Sequence, residues 1–267
     1  MKRIDGIGLP QVQAVYGGPE ADLWELVMGQ QIHVGGLQSS RALAAAAGIL
    51  PGWRGVDLCC CTGAGMRFLV RFCGVAHVTG VDATPRMIER GRQRNQEEGV
   101  GDKIEFVLGD ASATKLPDGL ADFVWGEDAW CYVLDKRALA AEAVRLVRTG
   151  GTIAFTDWME GPTPMSDGEA GRLLRFMKFP NIASMSDYVD LFQSNQCKIV
   201  AAEDTRRFPA AIDLYLAMLD QQLTYDALKI IGFDADLMRT LGGEMQFMQG
   251  LVRERKLIQG MLAARKR

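Results

Sequence analysis

Five acids each follow a short apolar run in the first half of the chain. They are Asp57 in RGVDL, Asp82 in TGVD, Asp110 in VLGD, and the adjacent Glu127 and Asp128 in VWGED. An acid at the carboxyl end of a buried strand faces the crevice where open α/β sheets bind ligands. There it can accept hydrogen bonds from ribose hydroxyls or balance a cationic group. Between the first two acids lies a small-residue stretch, CCCTGAG, that opens a helical pattern from Met66 to Cys73. A strand, a tight loop, a helix and an acid closing the next strand make the nucleotide-binding half of a doubly wound sheet. The chain has two histidines. His33, in QQIHVGG, is a candidate base; His77 begins a strand and reads as structural.

The elements that must carry these residues alternate. Strands are expected at 55–59, 77–82, 103–108, 121–125 and 151–157, and helices at 64–73, 84–97 and 135–148. Thr149-Gly150-Gly151 reads as a helix-to-strand turn. Such alternation predicts a mostly parallel sheet with helices on both faces. The segment 1–50 reads as helical, with Ser39 or Ser40 capping a helix from Arg41 to Ala47 that Gly48 stops. Beyond Met159, helices are expected at 167–178 and 186–194, a strand from Cys197 to Glu203, and two Met- and Leu-rich helices within 209–252. The final KLIQGMLAARKR fits a basic helix by propensity and a closing strand by position, and the strand is the expectation. The expected organisation is a helical N-terminal segment (1–50), a binding core (51–160) and a helical cap with the last strands of the sheet (161–267).

Bulk properties narrow the classes. The 267 residues are 48% hydrophobic, enough for a sizeable core, and the formal net charge is -3 with both signs interspersed. That gives no electrostatic footprint for nucleic acid. No apolar run approaches the roughly 20 residues that span a bilayer, and MKRIDGIGLP lacks the apolar stretch of a signal peptide. A cytoplasmic protein is the expectation. The six cysteines contain no CxxC pair, so free thiols and no bound metal are expected. Cys59, Cys60 and Cys61 read as small residues filling a tight turn.

The charge of the loop discriminates between ligands. A dinucleotide needs G-x-G-x-x-G around its pyrophosphate. Here the loop is DLCCCTGAG, with an acid before it and no basic residue nearby. Asp57 would repel a pyrophosphate, whereas it suits a cationic ligand such as the amino group and sulfonium of S-adenosylmethionine. The chain thus resembles a class I S-adenosylmethionine-dependent methyltransferase over roughly residues 50–160. The usual first motif is an acid, an apolar residue and G-x-G-x-G; Cys59 and Cys61 stand where the first two glycines usually do, and Gly63 keeps the pattern. Asp82 in TGVDAT matches the acid that holds the ribose, and Asp110 in VLGDAS the residue beside the adenine. WGEDAWCY and LVRTGG complete the order. With LWELVMGQQIHVGG and the C-terminal pattern, the chain is similar to the bacterial sarcosine/dimethylglycine N-methyltransferase type.

The resemblance implies S-adenosylmethionine as cofactor, held by Gln31, His33, Asp57, Cys59, Gly63, Asp82, Ala83, Asp110, Ala111 and Glu127, with Gln30 a further candidate. It implies His33 and Asp128 as catalytic candidates. Tyr16, Trp24, Trp130 and Trp158 are expected beside a small acceptor, because aromatic faces stabilise the positive charge an amine gains on methylation. Arg172 and Arg175 are expected to pair with an acceptor carboxylate. The partner expected is a small molecule, an amine such as sarcosine or dimethylglycine, with homodimerisation left open. Three alternatives share part of this pattern: a thiol, hydroxyl, halide or metalloid acceptor; a non-catalytic S-adenosylmethionine-binding regulator; and a nucleotide-dependent oxidoreductase, against which Asp57 and the missing glycines count.

Overall fold

A computed structural model describes residues 1–267. Three helices open the chain after a short strand β1 (Lys2–Arg3): α1 (Leu9–Gly17), α2 (Pro19–Met28) and α3 (Gly36–Ala47). The core then alternates as β2 (Arg54–Leu58), α4 (Ala64–Phe72), β3 (His77–Asp82), α5 (Pro85–Glu97), β4 (Ile104–Leu108), β5 (Ala121–Glu127), α6 (Lys136–Leu146) and β6 (Val147–Glu160). The remainder runs α7 (Asp167–Met177), β7 (Asn181–Ile182), α8 (Met185–Ser194), β8 (Cys197–Asp204), α9 (Phe208–Gln221), α10 (Thr224–Ile230), α11 (Ala235–Arg253) and β9 (Leu257–Lys266).

Seven strands form one sheet in the order β4-β3-β2-β5-β6-β9-β8, and β1 pairs with β7 apart from it. The pairs among β2 to β6 are parallel, whereas β9 is antiparallel to both β6 and β8. This is the doubly wound, mostly parallel sheet the alternation predicts. Chain order runs outward from β2 in one direction through β3 and β4, then resumes on its other side at β5. The crevice at that reversal, beyond the carboxyl ends of β2 and β5, is where such sheets take ligands. The strands are buried on both faces, with Val56, Val124, Ile153 and Leu262 inside. Helices covering both sides of the sheet require that continuous apolar pattern.

Four details differ from the sequence expectation. The helix placed at 41–47 begins at Gly36, after Gly35 in the left-handed region, and neither Ser39 nor Ser40 caps it; both are buried within it. The turn at 149–151 lies within β6 as an irregularity. Val147 pairs with Ala121 and Thr152 with Phe123, so the intervening residues bulge out of register. The strand begun there runs on to Glu160, beyond the expected 157. The two helices placed in 209–252 are three: Gly232 and Phe233, at φ 69° and 60°, break the chain. Asp234 then caps α11 by accepting from the N–H groups of Asp236 and Leu237. The closing strand at the C-terminus is present as β9.

Candidate active site

A cavity of about 280 Å³ opens at the carboxyl ends of β2, β3, β4 and β5. Asp57, Asp82, Asp110 and Glu127 line it from these four strand ends, and no Lys or Arg does. The Asp57 carboxylate accepts no hydrogen bond within the protein, and the residue is almost fully buried. Burial, then the carboxylates of Glu127 and Asp82, push its carboxyl well above the usual range. Such an acid calls for a positive ligand, because losing water and facing two other acids both oppose its charge. Burial also raises Asp82, although it accepts from the Thr84 and Cys61 N–H groups at 2.8 and 2.9 Å. These bonds fix the loop after β2 and the start of α5 to one carboxylate.

The loop itself is held by backbone geometry. Cys59 and Cys61 adopt φ 64° and 49°, the left-handed region that glycine enters most easily. The N–H groups of Cys59 and Cys60 donate to the Val81 carbonyl at 2.8 and 3.1 Å. Gly65 has a different reason to be glycine. A Cβ there would stand 2.6 Å from Glu127 Oε2 and 3.4 Å from Asp57 Oδ2. Its absence lets two acids come close to the first turn of α4, where free backbone N–H groups collect.

The N-terminal segment roofs this cavity. Arg86 and Arg90 on α5 pair with Asp22 of α2 at 2.8 and 2.7 Å. The Gln13 side chain donates to the Ala83 carbonyl at 2.7 Å. Leu9, Val12 and Tyr16 of α1, and Gln30 to His33 after α2, thereby reach the cavity wall. His33 is buried; its Nε2 lies 3.3 Å from Ser40 Oγ and 3.4 Å from Glu127 Oε1, and its Nδ1 has no partner. Ser40 donates to Glu127 at 2.7 Å, and Gln31 donates to Ser40 at 3.2 Å. Tyr16 meets Tyr132 edge to face, with centroids 5.2 Å apart. Burial raises both phenols, so both remain neutral donors.

Residues 56–155 match a family model described as a methyltransferase domain. This segment, from β2 into β6, is similar to a methyltransferase domain, and the match leaves the N-terminal helices and the cap outside it. The chain is 37% identical over 100 residues to a sarcosine/dimethylglycine N-methyltransferase of Halorhodospira halochloris, covering 37% of this chain and 35% of that protein. It is 27% identical over 178 residues to a sterol 24-C-methyltransferase of Aspergillus fumigatus, covering 65% and 47%. The chain thus aligns with less than half the length of these relatives. Its fold is similar to phosphoethanolamine N-methyltransferase 2 of Haemonchus contortus, solved with phosphomonomethylethanolamine and S-adenosylhomocysteine. The TM-score is 0.84 at 18% identity, covering 97% of this chain and 59% of that one.

In this core the cavity gathers Gln31, His33, Asp57, Cys59, Gly65, Asp82, Ala83, Asp110, Ala111, Glu127 and Tyr16. Gly63 sits just behind it at φ 76°, where a Cβ would meet Phe106 at 2.7 Å. The donor set fits S-adenosylmethionine: carboxylates for its cationic groups, and Asp82 beside a close-packed glycine loop.

The aromatic and cationic expectations require correction. Trp130 does not line the cavity. Its ring turns back beneath the sheet and stacks on Phe155 at 4.1 Å, in space that Gly126 leaves open. Trp158 is also core, packed against Phe208 at 4.6 Å and Phe179 at 5.7 Å. Trp24 meets Trp158 edge-on and lines a different cavity in the cap. Arg172 is exposed, paired with Glu244 at 3.0 Å and stacked over Phe247, so it ties α7 to α11. Arg175 is exposed on the same helix. Neither arginine reaches the acids.

Asp128 lines the cavity, but its carboxylate is already engaged. It accepts from the Val34 N–H at 2.8 Å and from the Gln259 side chain at 2.8 Å. Gln259, fully buried on β9, also donates to the Val34 carbonyl at 2.9 Å. Ser40 and Gln259 are site residues that the sequence reading missed. Neither carries a signal in the sequence: Ser40 reaches His33 and Glu127 because the chain turns at Gly35 before α3, and only the tertiary fold brings Gln259 there. No cluster of three or more His, Cys, Asp or Glu is arranged to hold a metal ion. No helix is long and apolar enough to cross a membrane.

Proposed function

We propose that this chain transfers a methyl group from S-adenosylmethionine to a small amine bound beside Tyr16, Tyr132 and His33. The observation that carries this reading is a cavity with four strand-end acids and no cationic side chain. When bound, S-adenosylmethionine supplies an electrophilic sulfonium methyl group. Asp82 would hold the ribose, Asp110 and Ala111 the adenine side, and Asp57 with Glu127 the cationic end. An amine that accepts a methyl group gains positive charge as it reacts, and fixed negative charge nearby stabilises that change.

The chain's remaining work is placement. The Asp128–Gln259–Val34 ties fix the backbone after His33, so Asp128 acts as a positioning residue. His33, with Nδ1 free and Nε2 facing Ser40 and Glu127, can take the proton an ammonium acceptor must lose. Helix α1 and the segment after α2 cover part of the cavity, and alignment of donor and acceptor beneath them supplies most of the acceleration expected for a displacement of this type. The similarity to a sarcosine/dimethylglycine N-methyltransferase supports an amine acceptor. The cavity favours amines without a carboxylate, because Arg172 and Arg175 lie outside it.

Incubation with S-adenosylmethionine and a panel of simple amines, sarcosine, dimethylglycine, thiols and halides tests this reading through release of S-adenosylhomocysteine. Turnover with simple amines supports it. Turnover confined to thiols or halides overturns the amine acceptor and leaves the family standing. Turnover only with sarcosine or dimethylglycine contradicts the preference for an acceptor lacking a carboxylate.

A further inference from the structure

A second cavity, of about 810 Å³, lies within the cap between α2, α7, α9, α10 and α11. It shares no lining residue with the carboxylate cavity. Helix α1 divides them, turning Val12 and Tyr16 to one and Val15 to the other. Its size falls in the range of true ligand pockets, roughly 300–1,000 Å³. The wall is mostly apolar and includes Trp24, Val27, Leu216, Leu219, Met238 and Met245. Methionine adapts to irregular apolar ligands because its chain is unbranched and its sulfur polarisable. The charged residues at this wall cancel, with Glu20 and Asp220 against Lys178 and Arg239.

A second observation concerns the long helix α11. Gly242 lines the cavity in mid-helix, where glycine is the poorest residue after proline. A Cβ at Gly242 would meet no atom within 4 Å, and the same holds for its neighbour Gly243. Close packing therefore does not explain this glycine. Its effect is to widen the cavity at the cost of helix propensity. Nearby Tyr225 and Leu237, adjacent in sequence to lining residues, are large apolar side chains left exposed, as is Phe233, which packs on Tyr225.

We propose that the cap cavity is a ligand site of its own, taking a neutral, elongated apolar molecule of the acyl-chain or isoprenoid-alcohol class. The apolar wall buries the chain, the balanced rim disfavours a net charge, and Gly242 makes room for it. This inference does not rest on the amine reading of the carboxylate cavity.

Bromododecanol is a suitable probe, since bromine quenches a tryptophan it touches and Trp24 lines the wall. Titrated into the full-length protein, it should quench emission saturably, and Trp24→Phe should remove that component. Gly242→Phe should shift the midpoint by about tenfold or more, whereas Gly242→Ala should not. Ala217→Phe fills the cavity from α9 and carries the same expectation should Gly242→Phe fail to fold. Calorimetric S-adenosylmethionine affinity should stay unchanged in each folded variant, which separates this site from the other. Quenching that never saturates, or an unchanged midpoint in both filled variants, overturns the proposal.

Discussion

In the sheet half, four acids arrive at one cavity from four successive strand ends, each a residue or two beyond a short apolar run. In the helical half, α2 and four cap helices line a larger cavity in which no two lining residues form a recognisable motif. Both regions are built by apolar burial, yet they encode a site differently. The sheet half converts sequence position into spatial position, because parallel strands put every carboxyl end on the same edge. The cap relies on distant helix packing, so its cavity emerges only when α2, α7, α9, α10 and α11 are in place.

The difference can be broken first at Asp82. Asp82→Ala removes the acceptor for the Cys61 and Thr84 N–H groups and the expected ribose contact. Charged hydrogen bonds contribute roughly 1.5–3 kcal/mol each, so calorimetry should show S-adenosylmethionine affinity reduced on the order of 100-fold or more. An unchanged affinity would mean that this strand end does not hold the cofactor.

Trp130 sharpens the boundary between site and core. Its ring is fully buried against Phe155, so Trp130→Ala should cost about 3–5 kcal/mol of stability through cavity formation. The loss should appear in chemical denaturation. A variant of full stability with impaired turnover would return Trp130 to the acceptor site.

Gly65 tests the approach of two acids to α4. Gly65→Ala places a methyl group 2.6 Å from Glu127 Oε2, and cofactor affinity should fall about tenfold while the fold is retained by circular dichroism. Wild-type affinity would show that the carboxylates need not approach so closely. The smallest effect is expected at Cys61. Cys61→Gly relieves a left-handed non-glycine residue, worth about 1 kcal/mol against glycine's greater unfolded-state freedom. Thermal stability and cofactor affinity should barely move; a large loss of either would assign the thiol a role beyond filling the turn.

These contrasts also explain what the sequence made legible. The strand-end acids and the tight loop are readable because local pattern and chain order determine them, whereas β9 is favoured by its position in the chain against a helical propensity. Trp130 was misplaced because a residue after a strand end can turn back under the sheet when Gly126 leaves space. Arg172 was misplaced because its helical face is set by Glu244 and Phe247, some seventy residues away. Ser39 or Ser40 reads as a cap from its polar stretch, but Gly35, in the left-handed region, starts the helix earlier and leaves both serines inside it. Gln259 reaches Asp128 only through the antiparallel return of the last strand, which no spacing in the chain announces.

The central claim is that the acid-lined cavity complements a cationic ligand. In the free protein, burial and the neighbouring carboxylates raise the Asp57 carboxyl well above the ordinary value of about 4. An acid raised on folding costs stability as pH climbs from its unfolded value to its folded one. A bound cation lowers that pKa, so binding must release a proton, and affinity must rise with pH across the same window. Calorimetry of S-adenosylmethionine binding, repeated in buffers of different ionisation enthalpy, measures the release directly. The account predicts proton release above the ordinary carboxylate range and its loss in Asp57→Asn. Proton uptake, or affinity that weakens as pH rises through that window, would contradict it.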